Sequence, residues 1–217
     1  MTETYPLDAD GVWCEVSPGC CRGAPALFLD RDGVVVEEVD YLHRVEDMHI
    51  CLDAAAVISA ANAREIPVVL VTNQAGVGRG YYGWTQFRAV QQAIQAAIAK
   101  AGAHFDAVYA CPHHRDGQGA FAHPDHPARK PNPGMLQRAA AALDIDLTRS
   151  WLVGDRAIDV EAAKRAGLAG ALHVLTGYGQ AERVPALALS GPRFEVRGAV
   201  SIAGALMLPL FDRTGRG

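Results

Sequence analysis

The chain of 217 residues is half hydrophobic and one-fifth charged, with 24 acidic and 20 basic side chains and a net charge of −4. This is the composition of one ordinary globular domain. It excludes a disordered or fibrous chain and offers no basic footprint for nucleic acid. No apolar run is long enough to span a bilayer, and Met1 to Tyr5 lack a basic-then-apolar secretory pattern, so a cytoplasmic monomer without a membrane partner is the expectation.

Residues 1–24 carry Gly11, Pro18, Gly19 and Gly23 with little periodicity and read as an N-terminal extension, leaving 25–217 as a single domain. Within the extension Asp8-Ala9-Asp10-Gly11 repeats an Asp-x-Asp-Gly pattern, but no apolar strand precedes it. Such a strand, Ala26 to Leu29, does precede Asp30-Arg31-Asp32-Gly33. Residues two apart in extended chain face the same way, so Asp30 and Asp32 point together beyond the strand's end. Two carboxylates about 4 Å apart repel by about 4 kcal/mol at an effective dielectric of 20, which calls for a cation or a shared proton. The plain alternative is a solvated Asp-Gly turn after a strand.

The polar segment Glu37 to Asp47 follows, with Tyr41, His43 and Arg44 within reach of a ligand, and Asp53 opens an Ala-rich helix to about Arg64. Pro67 to Thr72 is a second apolar strand leading into Asn73-Gln74 and the glycine-bearing loop Gly76 to Gly80. Trp84 to Ala101 is a helix with Phe87, Val90, Ile94 and Ile98 on one stripe, which is core. Ala107 to Ala110 reads as a third strand, followed by a His-, Pro- and Gly-rich stretch to Lys130. Asn132-Pro133 then resembles an N-cap with proline at the first position of a helix ending near Leu143. Trp151 to Asp155 is a fourth strand, Ile158 to Arg165 a helix closed by Gly167, and Ala171 to Leu175 a fifth strand. Past Gly177 the pattern weakens, with an edge strand at Phe194 to Val196 and a closing helix at Val200 to Leu208.

Strands alternating with helices imply a parallel sheet covered on both faces. Asp30, Thr72 and Asp155 each end a strand, so all three converge on the carboxyl rim of the sheet, where ligands bind in such folds. There Asp30 suits a nucleophile that forms an aspartyl phosphate, and Asp32 a general acid and base. Asp155 adds a carboxylate for Mg²⁺, Lys130 a fixed ammonium, and Thr72 and Asn73 hydrogen bonds to phosphate oxygens. Taken singly, Lys130 is also a surface lysine and Asp155-Arg156 a strand exit; the specificity lies in their joint order.

The segments Phe28 to Gly33, Val71 to Gly76 with Arg79-Gly80, Cys111 to His114, Arg129 to Met135 and Val153 to Asp155 carry a resemblance to the haloacid dehalogenase (HAD) superfamily. More closely, the chain is similar to the branch of heptose bisphosphate and histidinol phosphatases. The resemblance spans about Ala26 to Gly177. It implies a three-layer, Rossmann-like α/β domain and a Mg²⁺-dependent phosphatase acting on a phosphorylated sugar. By this resemblance Asp30 is the nucleophile, Asp32 the acid and base, Thr72 and Lys130 phosphate binders, and Asp30, Asp155 and Asp32, the last through its carbonyl, the metal ligands. The intervals from Asp30 to Thr72 and from Thr72 to Lys130 are each filled by a helix, a strand and a loop, leaving no room for a separate cap domain. Arg129 and the segment Glu37 to Asp47 are the candidates for reading the substrate body.

Cys111, His113, His123 and His126 lie close enough in sequence for a tetrahedral zinc site, and the resemblance implies a structural Zn²⁺ at this loop. Relatives carry a Cys-x-Cys pair just before the Arg-Lys, where this chain has His126-Pro127-Ala128, so the alternative is a zinc-free loop with solvated histidines. The five cysteines are too few and irregular for a disulfide scaffold and read as thiols, with Cys20 and Cys21 an incidental pair or a redox or metal pair. Two other functional readings stay open at this stage. One is a histidinol-phosphate or other small-metabolite phosphatase, the other a non-catalytic phosphoester-binding protein.

Overall fold

The computed structural model describes residues 4–17 and 23–212, so the Cys20–Cys21 pair and the first three residues lie outside the described part. Seven strands form one sheet: β1 (Trp13–Val16), β2 (Leu27–Leu29), β3 (Val68–Asn73), β4 (Ala107–Cys111), β5 (Trp151–Gly154), β6 (Gly170–Val174) and β7 (Glu195–Ala199). Their order is β1-β4-β3-β2-β5-β6-β7, and every pair is parallel except β1 with β4. The expected all-parallel sheet is therefore corrected to a mostly parallel one. The four residues of β1 run from buried Trp13 to exposed Val16 along an edge and sit in a Gly- and Pro-rich stretch, so no continuous apolar run announces them. What holds β1 there is packing: the Trp13 ring lies 5.0 Å from Phe87 and 5.5 Å from Trp84.

The sheet is covered on both faces because its strands are apolar on both. Leu27, Leu29, Val68 and Leu70 pack with the helices α1 (Ala54–Asn62) and α3 (Trp84–Ala99), which is preceded by the single turn α2 (Ala75–Gly78). Phe28, Val69 and Val71 pack on the other side with α4 (Gly134–Leu143), α5 (Ala157–Ala166) and α6 (Gly179–Leu187). Period-two alternation within fully buried strands thus fills two cores at once.

Several elements differ from the sequence reading. Asp53 precedes α1 in a left-handed conformation and makes no capping bond. α4 begins at Gly134, because Asn132 spends its amide on Asp125 and on the His126 carbonyl. α6 was not expected; it is short, polar and interrupted by Pro185. The closing segment is two 3₁₀ turns, Ile202–Met207 and Pro209–Phe211, since Gly204 and Pro209 disfavour a continuous α-helix.

The chain builds outward from β2 through β3 to β4, then returns to β5 and builds the other way. This reversal beside β2 makes a crevice at the carboxyl ends of β2, β3 and β5. The Asp8-Ala9-Asp10-Gly11 repeat lies elsewhere: Asp8 accepts the Asp10 and Val12 N–H groups, and Arg138 of α4 pairs with both acids.

Candidate active site

A cavity of about 340 Å³ opens at this crevice, lined by Asp30, Asp32, Thr72, Asn73, Arg129, Lys130 and Asp155. The register explains the meeting: Leu29 pairs with Leu70 on one side and Val153 on the other, so Asp30 leaves β2 between Thr72, one position further along β3, and Asp155, one position past its level on β5. Lys130 arrives from the loop after β4 and is buried to 2 % exposure.

Lys130 Nζ lies 2.8 Å from Asp30 Oδ1 and 2.7 Å from Asp159 Oδ1, and donates to the Val71 carbonyl at 3.0 Å. The Arg31 N–H also donates to Asp30 Oδ1, at 2.7 Å, so these two bonds leave Oδ2 untouched. Asn73 is turned to the Lys130 backbone, accepting its N–H and donating to its carbonyl, both at 3.0 Å. Asn73 therefore clamps the peptide that carries the ammonium.

Asp155 accepts the Tyr178 N–H on Oδ2 at 2.7 Å, while its Oδ1 is buried without a partner. Gly33 and Gly177, both at positive φ, press against this carboxylate; a Cβ on either would stand within 2.4 Å of Oδ2. Oxygens of Asp30, Asp155 and Asp159 all lie within 4.8 Å of one another. Three carboxylates face one ammonium, which leaves two negative charges uncompensated in a buried place. Oxygen donors with that charge deficit fit a hard divalent cation.

Burial raises the Asp30 carboxyl well above the usual range, helped by the charges of Asp159 and Asp155 and opposed by Lys130. Burial likewise pushes Asp155 up to about 7, with Asp159 adding to it, and Glu38 up to about 7, with Asp32 adding to it. Burial lowers His126 to about 4 and lowers His113 as well. The histidines make stability rise with pH only up to about 6.5, where they lose their protons even when unfolded. Above that, the folded chain still holds protons on the raised carboxyls that the unfolded chain has released, so stability falls as pH rises. The metal-free protein is therefore expected to unfold at a lower temperature at pH 8 than at pH 6.5. A melting series in EDTA checks this, and a flat or rising trend over that interval would contradict it.

Four residues absent from the sequence-level set join the site. Asp159, the last member of Gly154-Asp155-x-x-x-Asp159, stands in the first turn of α5, and that spacing was the available signal. Gln74 is buried beside Thr72 and Asp32. Arg79 and His114 line the mouth near Arg129, with Arg79 donating to the Tyr41 hydroxyl at 2.7 Å. Tyr41 of the polar segment reaches the cavity as expected. Arg44 instead pairs with Glu46 and Asp47, and His43 stacks on Tyr82, so neither lines it.

The proposed zinc set does not assemble. His113 and His126 stack face to face with centroids 3.6 Å apart, and His113 Nε2 is 2.8 Å from the Asp10 carbonyl. His126 Nδ1 accepts the Ala128 N–H, and burial pushes the metal-free Cys111 thiol up to about 12. Among the described residues, only Asp30, Asp155 and Asp159 gather ligand atoms for a metal.

A HAD-hydrolase-like family model matches residues 127–196. A D-glycero-beta-D-manno-heptose-1,7-bisphosphate 7-phosphatase of Mesorhizobium japonicum is 46% identical over 167 residues, 76% of this chain and 77% of that one. The chain belongs to the HAD-like phosphatases. A D-glycero-D-manno-heptose-1,7-bisphosphate 7-phosphatase of Thermosynechococcus vestitus is 42% identical over 71% of this phosphatase and 81% of its own length. A crystal structure from Mesorhizobium loti, assigned to the HAD-like phosphatases, superposes with a TM-score of 0.87 at 39% identity, covering 99% of both chains. The D,D-heptose 1,7-bisphosphate phosphatase of B. bronchiseptica, solved with magnesium and phosphate, gives a TM-score of 0.72 at 31% identity, covering 84% of this chain and 96% of that one.

Proposed function

We propose that this phosphatase hydrolyses a phosphorylated sugar, D-glycero-D-manno-heptose 1,7-bisphosphate or a close analogue, with Mg²⁺ and through an aspartyl phosphate on Asp30. The observation that carries the reading is the buried trio Asp30, Asp155 and Asp159 around one Lys130, with Asp155 Oδ1 unpartnered. Asp30, Asp155 and the Asp32 carbonyl would hold the ion, whose charge offsets that of nucleophile and phosphate. Asp30 Oδ2 attacks phosphorus while Lys130 fixes Oδ1, and Asp32 protonates the departing oxygen. Asp32 then takes a proton from the water that releases phosphate from Asp30. Thr72 and Lys130 bind the transferring phosphoryl group, and Asn73 acts through Lys130.

The mouth supports a doubly phosphorylated substrate, because Arg79, Arg129 and His114 line its rim and two guanidinium groups suit a second phosphate. We also read the site as uncapped and the fold as one domain, which takes in β1 from the expected N-terminal extension as well as residue 25 onward. The support is that residues 37–53 and 112–133 contain only the 3₁₀ turns Val45–Asp47 and Gly119–Phe121. A structural Zn²⁺ is left out of this reading, on the missing thiolate pair and the hydrogen bonds of His113 and His126.

Parallel kcat/KM measurements on heptose 1,7-bisphosphate and histidinol phosphate test the substrate. A preference for the bisphosphate above about tenfold is expected, equivalent to about 1.4 kcal/mol. Equal turnover, or a preference for histidinol phosphate, would remove the assignment.

A further inference from the structure

Asp32 is held from two sides. Its Oδ1 accepts Arg31 Nε at 3.0 Å and Nη2 at 2.9 Å, and the Arg31 guanidinium is itself buried 5.5 Å from the Phe87 ring centre. Its Oδ2 accepts Gln74 Nε2 at 3.1 Å. The same Nε2 is 2.8 Å from Thr72 Oγ1, and Gln74 Oε1 accepts the Tyr82 hydroxyl at 2.6 Å. The Tyr82 hydroxyl on Oε1 and the two acceptors on Nε2 together set the orientation of the Gln74 amide.

We infer that Gln74, locked by Tyr82, is the positioning residue of the acid and base. This rests on the proposed role of Asp32. Arg31 occupies Oδ1, so Oδ2 is the oxygen that carries the transferable proton. When that proton passes to the departing oxygen, the carboxylate left behind gains charge and its bond from Gln74 strengthens. That bond is stronger in the transition state than before it, which is the condition for acceleration. Gln74 also donates its second N–H to Thr72 Oγ1, whose hydroxyl in turn donates to Asp32 Oδ2 at 3.4 Å, so the amide braces both groups that meet at that oxygen.

Leaving groups that need no proton separate this role from a structural one. The test measures kcat/KM on 4-nitrophenyl phosphate, phenyl phosphate and a primary alkyl phosphate at saturating Mg²⁺. Gln74→Met is expected to lose about tenfold on the alkyl ester and less than about threefold on the nitrophenyl ester. In an Asp32→Asn background the same change should cost less than about threefold on either, because its route is gone. Tyr82→Phe removes one hydroxyl and should show the same ordering, about threefold on the alkyl ester, even if Gln74→Met does not fold. Losses equal across leaving groups, no loss, or an undiminished loss in the Asp32→Asn background would overturn the inference while wild-type turnover upholds the phosphatase reading. Absence of wild-type turnover on all three esters would overturn both.

Discussion

Replacing Asp30 by Asn is expected to lower kcat by at least about 10³-fold on every phosphate ester, because an amide cannot form the acyl phosphate. The fold should survive the change. The Asn carbonyl can still accept from Lys130 and from the Arg31 N–H, which both converge on Oδ1. One negative charge also leaves a cluster that has two more than Lys130 can balance, so the metal-free melting temperature should hold or rise. Turnover of 4-nitrophenyl phosphate with Mg²⁺, set beside a melting curve, checks both halves. Activity within about tenfold of wild type would rule out Asp30 as the nucleophile.

Lys130→Met should fail in a different way. The side chain is 1 % exposed and bridges Asp30 to Asp159, whose side chain is fully buried. Burial by itself would lower the Lys130 ammonium, but Asp159 and Asp30 raise it above the ordinary lysine value, so it is charged at neutral pH. Removing it leaves buried carboxylates without their counter-charge, at a cost of about 3–5 kcal/mol at pH 8. The loss should shrink toward acid pH as the carboxylates take up protons. Denaturant unfolding at two pH values measures this. The double variant Lys130→Met with Asp159→Asn should recover part of the stability and none of the activity, since the phosphate still lacks its cation. A single-variant change under about 1 kcal/mol at pH 8 would show that the triad is not what holds this corner together.

Much of the site was legible because its residues end strands. A buried apolar run followed by a carboxylate marks both the strand and its rim, and Asp30, Thr72 and Asp155 are each found that way. Lys130 was legible only through its place in a joint order, because nothing local separates it from a surface lysine. Asp159 stands in the spacing Gly154-Asp155-x-x-x-Asp159, but that spacing assigns it no role; its meaning depends on α5 pointing its first turn at Lys130. Gln74 and Tyr82 are eight residues apart on no common period, and only the fold turns one toward the other.

The same division applies to the architecture. Alternating apolar strands and amphipathic helices determined, from sequence alone, a layered α/β sheet and its carboxyl-edge site, because burial writes itself into local period; the phosphoryl chemistry followed from the joint order of Asp30, Thr72, Lys130 and Asp155 and from the resemblance that order carries. The tertiary structure alone decided that β1 joins the sheet edge antiparallel to β4, since its evidence is the contact of Trp13 with Trp84 and Phe87 across more than sixty residues. It also decided that the histidines of the 111–130 loop stack and hydrogen-bond where their spacing alone allowed a chelate. Spacing limits which groups can meet; side-chain direction, set by packing from distant elements, selects which of them do.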